Sequence, residues 1–264
     1  GDPEAPAPAP VRPKYCVERV GDEAEAESLT AFAGVVGQCV EMLRLFGVPF
    51  VMAPSEADCQ CAELERSGHV DAVVSDDSDV LLFGATRVYR HLFAHDKPLE
   101  CYTAQAIERT TSFTRSDLVS LAFLLGADYT LGVGGVGPVR AVEILSCFSS
   151  LEQFHAWCTT TPDVRAQLDE AQCATPEARR LRARLAKAAA RFVFPGSSWP
   201  SADVRAGYLH PLVSRPSEPF RWGEPDYEGL KRFCFAQLGW DLERTERALE
   251  PFKKQRAEQA KQQQ

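Results

Sequence analysis

A chain of 264 residues with 45% hydrophobic and 25% charged content has enough apolar material for a sizeable core, which excludes a wholly disordered protein. Its longest apolar runs, such as Leu121-Ala122-Phe123-Leu124-Leu125, fall far short of the roughly 18 residues that span a bilayer. The net charge of −8 argues against a polyanionic partner until its distribution is read: residues 1–174 hold 12 Lys and Arg against 26 Asp and Glu, and residues 175–264 hold 17 against 11. An acidic half suited to cations therefore precedes a basic half suited to an anion.

In chain order, residues 1–13 alternate Pro with Ala and predict an extended or disordered remnant. An acidic run leads to Ser28, a predicted N-cap, followed by a helix with Leu29, Phe32, Ala33, Val36, Val40 and Leu43 on one face and Gly47 as its stop. Val48 to Met52 predicts a strand, Pro54-Ser55 opens a helix to about Gly68, and Val70 to Ser75 predicts a second strand. Arg87 to Arg90 and Leu99 to Tyr102 predict two more strands, and Thr114 to Leu125 a helix. This alternation indicates an α/β layer with a mainly parallel sheet, and beyond Gly132 the chain reads as mostly helical. Residues 252–264 lose apolar spacing and are expected to fray. Nine cysteines without a C-x-x-C pair, and an opening without a secretory signal pattern, point to reduced thiols in the cytosol or nucleus.

Ligands of an open α/β sheet lie beyond the carboxyl ends of its strands. Glu56 and Asp58 follow the strand 48–52, and Asp76, Asp77 and Asp79 follow the strand 70–75. Asp128, in Gly126-Ala127-Asp128-Tyr129, stands just past the helix ending at Leu125. Singly, each has a structural alternative: Ser55-x-x-Asp58 fits a helix cap, Asp76 to Asp79 fit Asx turns, and Asp128 fits a helix end. Gathered at one sheet edge, they would repel one another unless a cation neutralised them. Oxygen donors without His or Cys select Mg²⁺ or Mn²⁺ over Zn²⁺, and two such ions about 3.5–4 Å apart suit phosphodiester hydrolysis.

Gly132-Val133-Gly134-Gly135-Val136-Gly137-Pro138 matches G-x-G-x-x-G, but a helix rather than a strand precedes it, which removes the dinucleotide reading. No Lys-Ser/Thr follows Gly137, which removes a P-loop. The stretch reads as a corner between two helices: Gly132, Gly134, Gly135 and Gly137 permit close backbone approach, Pro138 starts the next helix, and Arg140 lies in its first turn, where free N–H groups can accept a phosphate. A connector without a ligand is the alternative. Residues 177–191 carry Arg179, Arg180, Arg182, Arg184, Lys187 and Arg191, a solvated basic face or one that contacts nucleic acid.

The segments APSEADCQCAEL, VVSDDSDVLLFG and LLGADYTLGVGGVGPVRAVEIL occur in an order and spacing that resemble the internal nuclease region of the XPG/flap endonuclease family. With PFRWGEPDYEGLKRFCFAQLGW, the resemblance covers roughly residues 29–254. It implies a PIN-like α/β core carrying a helix-two-turn-helix, and metal-dependent cutting of DNA near single-strand/double-strand junctions with 5′-flap polarity. It further implies a role in nucleotide excision repair in the nucleus. By motif, Glu56 and Asp58 would bind one metal region, Asp77 and Asp79 the other, and Asp128 would complete the set around two Mg²⁺, with Mn²⁺ as substitute; Asp76 falls outside it. Gly132 to Pro138, Arg140, Arg180, Arg184 and Lys187 would hold DNA, with K⁺ on the carbonyls of the glycine turn.

The family also draws two aspartates and basic gateway residues from an N-terminal region, and nothing in residues 1–28 resembles it. The chain is therefore expected to supply five of seven carboxylates, the rest coming from an N-terminal nuclease region in the same protein or a separate chain. Implied partners are bubble or 5′-flap DNA, that region, and repair proteins. The alternatives are a junction-binding module without activity, or another member of the family. The expected organisation is a spacer remnant (1–28), an internal nuclease region (29–130), the helix-two-turn-helix with the basic helix (131–194), a C-terminal helical part (195–254) and a frayed tail (255–264).

Overall fold

The computed structural model describes residues 23–173 and 175–262, so the Pro/Ala stretch lies outside the described residues. They form two compact units, one of Ala53–Arg215 and one of residues 23–52 with residues 216–262.

The first element among the described residues is the helix α1 (Glu23–Leu45), which belongs to the second unit. Ser28, expected as its N-cap, lies inside it, because the helix already runs through the acidic stretch before it. Of the expected apolar face, Val36, Val40 and Leu43 are half-buried while Ala33 is exposed; the side chains of Leu29 and Phe32 lie outside the described residues. Gly47 ends the turn after α1 at φ +68, and a Cβ there would come within 2.5 Å of the Gly223 carbonyl carbon. Only glycine fits that approach.

The first unit contains α2 (Ala57–Arg66), β1 (Val73–Val74), α3 (Asp79–Leu82), β2 (Arg87–Arg90), β3 (Glu100–Thr103), α4 (Ala104–Thr111) and α5 (Arg115–Leu125). It continues with α6 (Pro138–Cys147), α7 (Leu151–Thr159), α8 (Pro162–Gln172), α9 (Pro176–Ala188), a 3-10 turn at Ala189–Arg191, and α10 (Ala202–Leu209). Helix starts follow local chemistry. A reciprocal Thr114/Asp117 capping box opens α5, proline occupies the first turn of α6, α8 and α9, and Thr103, Ser150, Thr175 and Ser201 cap with their hydroxyls. Val80, Val88, Val119, Phe123, Leu124, Ile144, Phe154 and Trp157 are buried in one core. Each aliphatic or phenylalanine side chain so buried contributes about 1.5–3 kcal/mol relative to exposure.

The sheet corrects the expectation of a mainly parallel layer. Its order is β1-β2-β3; β1 runs parallel to β2, with Val73 opposite Val88, whereas β2 and β3 are antiparallel, with Arg87 opposite Thr103. The α/β class stands, but the sheet is small and mixed. The cause is the connection: residues 91–99 are too few for the crossover of about a dozen or more that parallel strands require, so they close a hairpin. The strand expected at 70–75 shrinks to Val73–Val74, and Val48–Met52 joins no ladder among the described residues. Pro49 has no N–H to donate there.

In the second unit, α11 (Tyr227–Leu238) and α12 (Leu242–Gln262) join α1. The loop before α11 is stitched to the end of α1 by Gly223 N–H to the Gly47 carbonyl and Asp226 N–H to the Leu45 carbonyl, both 2.7 Å. Where fraying was expected, α12 continues to Gln262. Leu249 and Thr245 are buried, Phe252 stacks on Phe46 at 5.5 Å, and the pairs Glu243–Arg247 and Glu250–Lys254 follow the i,i+4 rule.

Candidate metal centre

The cap expected from Ser55-x-x-Asp58 does not form: the N-cap of α2 is Glu56, in extended conformation and without a side-chain capping bond. Asp58 lies in the first turn. The helix is fixed from behind: buried Gln60 exchanges two hydrogen bonds with the backbone of Ser214, at 2.7 and 2.8 Å. Cys59 is buried and its thiol is pushed up to about 11 by that burial, which leaves an inert core thiol rather than a ligand.

After β1, Ser75 organises the acidic loop. Its hydroxyl accepts from Asp77 N–H at 3.1 Å and donates to Asp58 Oδ1 at 3.5 Å, while Asp77 Oδ1 accepts from Asp79 N–H at 2.9 Å. The Asx-turn reading is thus correct for Asp77, and the same turn places Asp79 as the first residue of α3. Asp76 faces elsewhere: its carboxylate accepts His91 N–H at 2.7 Å and its carbonyl accepts Arg90 Nη2 at 2.8 Å. It secures the hairpin, in line with its omission from the ligand set.

Two tyrosines, which sequence reasoning missed, meet the cluster. The Tyr129 hydroxyl donates to Glu56 Oε2, and the Tyr208 hydroxyl donates to Asp79 Oδ2 at 3.2 Å. Tyr129 is adjacent to Asp128 and could have been suspected. Tyr208 lies 129 residues from Asp79 within the apolar Ala206-Gly207-Tyr208-Leu209 and carries no local signal.

The charges interact as one group. Burial, and then the charges of Asp58, Asp128, Asp79 and Asp77, push the Glu56 carboxyl up to about 7. Burial and Asp77 raise Asp58, against the Ser75 hydrogen bond. Burial and Asp77 also raise Asp79, against the Tyr208 hydrogen bond. Glu56, Asp58, Asp77, Asp79 and Asp128 are therefore brought together, as their motifs suggested. Even so, no group of three or more His, Cys, Asp or Glu among the described residues stands close enough to hold a metal ion. The donor chemistry fits a hard divalent cation, which would relieve the repulsion; the spacing is that of a charge cluster rather than a closed cage.

At the glycine turn, Gly132 (φ +74) and Gly135 (φ +84) are required by backbone approach, since added Cβ atoms would lie 2.6 Å from Gly126 N and 2.7 Å from the Arg191 carbonyl. Gly134 forms a two-way bridge with Val193, and Gly137 N-caps α6 without a side-chain bond, ahead of Pro138. Arg140 folds back on the Gly135 carbonyl at 2.7 Å. On α9, Arg180, Arg184 and Lys187 are exposed along one face, with Arg184 paired to Glu143 at 2.7 Å. Arg182 is different: it is 2% exposed, bound to Asp169 at 3.0 Å and to the Cys147 carbonyl at 2.8 Å. Gly137, Pro138, Arg140, Glu143 and Arg184 line a groove of about 500 Å³.

Residues 47–128 match the XPG I-region family. DNA repair protein rad13 of Schizosaccharomyces pombe is 38% identical over 237 residues, covering 89% of this chain and 20% of that protein. The Xenopus laevis DNA excision repair protein ERCC-5 homolog is 37% identical, covering 84% of this chain and 19% of its own length. The chain thus spans about a fifth of these relatives. Among solved structures, the catalytic core of Rad2 in complex with DNA substrate is 34% identical with a TM-score of 0.68, over 83% of this chain and 69% of that one.

Proposed function

This chain belongs to the XPG/flap endonuclease family, and from that premise we propose that it is the internal and C-terminal portion of a structure-specific DNA endonuclease of the XPG branch. The enzyme cuts near single-strand/double-strand junctions with 5′-flap polarity, in nucleotide excision repair, in the nucleus. The observation that carries this reading is the convergence of five carboxylates, from the start of α2, the loop after β1, the start of α3 and the turn after α5, whose burial and charges raise Glu56, Asp58 and Asp79. We assign residues 29–130 to the internal nuclease region, 131–194 to the helix-two-turn-helix with its basic helix, and 195–254 to the C-terminal part.

Glu56 and Asp58 would hold one metal region, Asp77 and Asp79 the other, and Asp128 would complete the set for two Mg²⁺, with Mn²⁺ as substitute. Bound there, the ions supply an activated water and stabilise the leaving oxygen. The chain's own residues bind and orient. The glycine turn, Arg140, Arg180, Arg184 and Lys187 would take the phosphate backbone, and the family resemblance implies K⁺ on the turn carbonyls. The family pattern assigns the remaining carboxylates to an N-terminal nuclease region, of the same protein or of a separate chain.

In the complete enzyme, Asp79→Asn should abolish Mg²⁺-dependent cleavage of a labelled bubble while leaving junction binding within a few-fold of wild type. Unchanged turnover would remove Asp79 from the metal set. The exposed basic face of α9 favours a second reading, a junction-binding module that binds without cutting. That reading requires binding to survive, and cleavage to remain absent, when the N-terminal region is present.

A further inference from the structure

Glu56 and Asp79 come from different elements, and the two metal regions assigned to them can adjoin only if both carboxylates are aimed at one space. The side chain that links them is Tyr208. It is wholly buried, at 0% exposure, and a buried phenol must find an acceptor. It finds Asp79 Oδ2, at 3.2 Å. Its ring is held by Phe83 at 5.3 Å and meets Tyr129 edge-on, with centroids 5.5 Å apart and planes at 78°. Tyr129 in turn donates to Glu56. The two hydroxyls thus reach two carboxylates of the cluster from one aromatic pair.

The backbone of this pair is fixed as well. The Tyr208 carbonyl accepts Arg115 Nη2 at 2.7 Å, and Nε of the same guanidinium donates to the Leu82 carbonyl at 2.8 Å. Leu82 is the last residue of α3, and Asp79 is its first. One arginine therefore ties together the two elements that carry the two ends of the Tyr208–Asp79 bond. Its path is open because residue 84 is glycine: a Cβ there would lie 2.8 Å from Arg115 Cζ.

We propose that Tyr208, anchored by Arg115, is a positioning residue that aims Asp79 and, through Tyr129, Glu56 into one two-cation centre. The proposal rests on the reading of the cluster as a metal centre. A phenol donor fits the task. It occupies one of the roughly four lone-pair positions of a carboxylate and leaves the others free for a cation. A residue needed for packing alone would be served by phenylalanine, with no hydroxyl to bury.

The test is Mn²⁺ binding to the chain together with the separately expressed N-terminal nuclease region, read by electron paramagnetic resonance, for wild type, Tyr208→Phe, Tyr129→Phe and Asp79→Asn, with melting curves in chelator. Partners that orient metal ligands typically contribute about 10- to 100-fold in affinity. Tyr208→Phe should lose that much, with its melting temperature in chelator close to wild type. Tyr129→Phe tests the same link from the other side and should also lose at least several-fold, even where Tyr208→Phe does not fold. If Asp79→Asn weakens Mn²⁺ binding and both phenylalanine variants bind as wild type does, the positioning role is overturned and the metal reading stands. If wild type binds no Mn²⁺ at millimolar concentration, both are overturned.

Discussion

Glu56 illustrates what single side chains contribute and cost in this cluster. Its carboxyl is raised to about 7 in the fold, from an ordinary value of 4.5, by burial and four neighbouring carboxylates. A raised pKa means that the folded state holds the proton more tightly. The stability this contributes is fully present below the ordinary value and is lost as the pH rises through about 7. Asp58 and Asp79 shift in the same direction. In chelator, the urea midpoint should therefore fall between pH 5 and pH 7.5, Glu56→Gln should flatten that fall, and Mg²⁺ should restore more of it at the higher pH. An equally steep fall in Glu56→Gln would place the pH dependence outside the cluster.

At the scale of elements, α9 shows why a basic helix is not uniformly a nucleic-acid face. Arg182 is buried among Asp169, the Cys147 carbonyl and the Phe148 ring, whereas Arg180 and Lys187 are exposed. Arg182→Ala leaves Asp169 without its cation and should cost about 3 kcal/mol or more of unfolding free energy. Arg180→Ala and Lys187→Ala should each stay within about 0.5 kcal/mol of wild type. Each should also lower the salt slope of junction-DNA affinity by about one. Denaturant titration and binding at graded salt separate the two classes, and equal destabilisation by all three would remove the distinction.

The elements also show what the sequence makes legible. The acidic loop after Val74 and the Gly132–Pro138 corner ahead of α6 are local patterns found where their spacing puts them, whereas Glu56 and Asp58 follow no strand, because Val48–Met52 joins no ladder among the described residues. The mixed sheet was concealed because strand direction depends on the connection 91–99 rather than on the strands themselves. The continuation of α12 was concealed because Phe46 and Phe252, far apart in sequence, stack on each other. Tyr208 was illegible for the same reason: its acceptor lies 129 residues away. Contacts that close over long separations leave no periodicity to read.

At the scale of the whole molecule, the acidic first part supplies the carboxylate cluster and the basic later part supplies α9, so the modest net charge of −8 conceals two opposed fields. One suits cations and the other a phosphate backbone. Glu56, Asp58 and Asp79 are raised by burial and by the charges around them. The proposed function has this centre completed by another segment. The most direct measurement is Mg²⁺-dependent cleavage of an end-labelled bubble DNA by this chain, with and without the separately expressed N-terminal nuclease region, and with Asp79→Asn as control. The account requires cutting only when that region is added, abolished in the control. Cutting by the chain alone, also lost in Asp79→Asn, would mean that five carboxylates suffice and would contradict the claim of a divided centre.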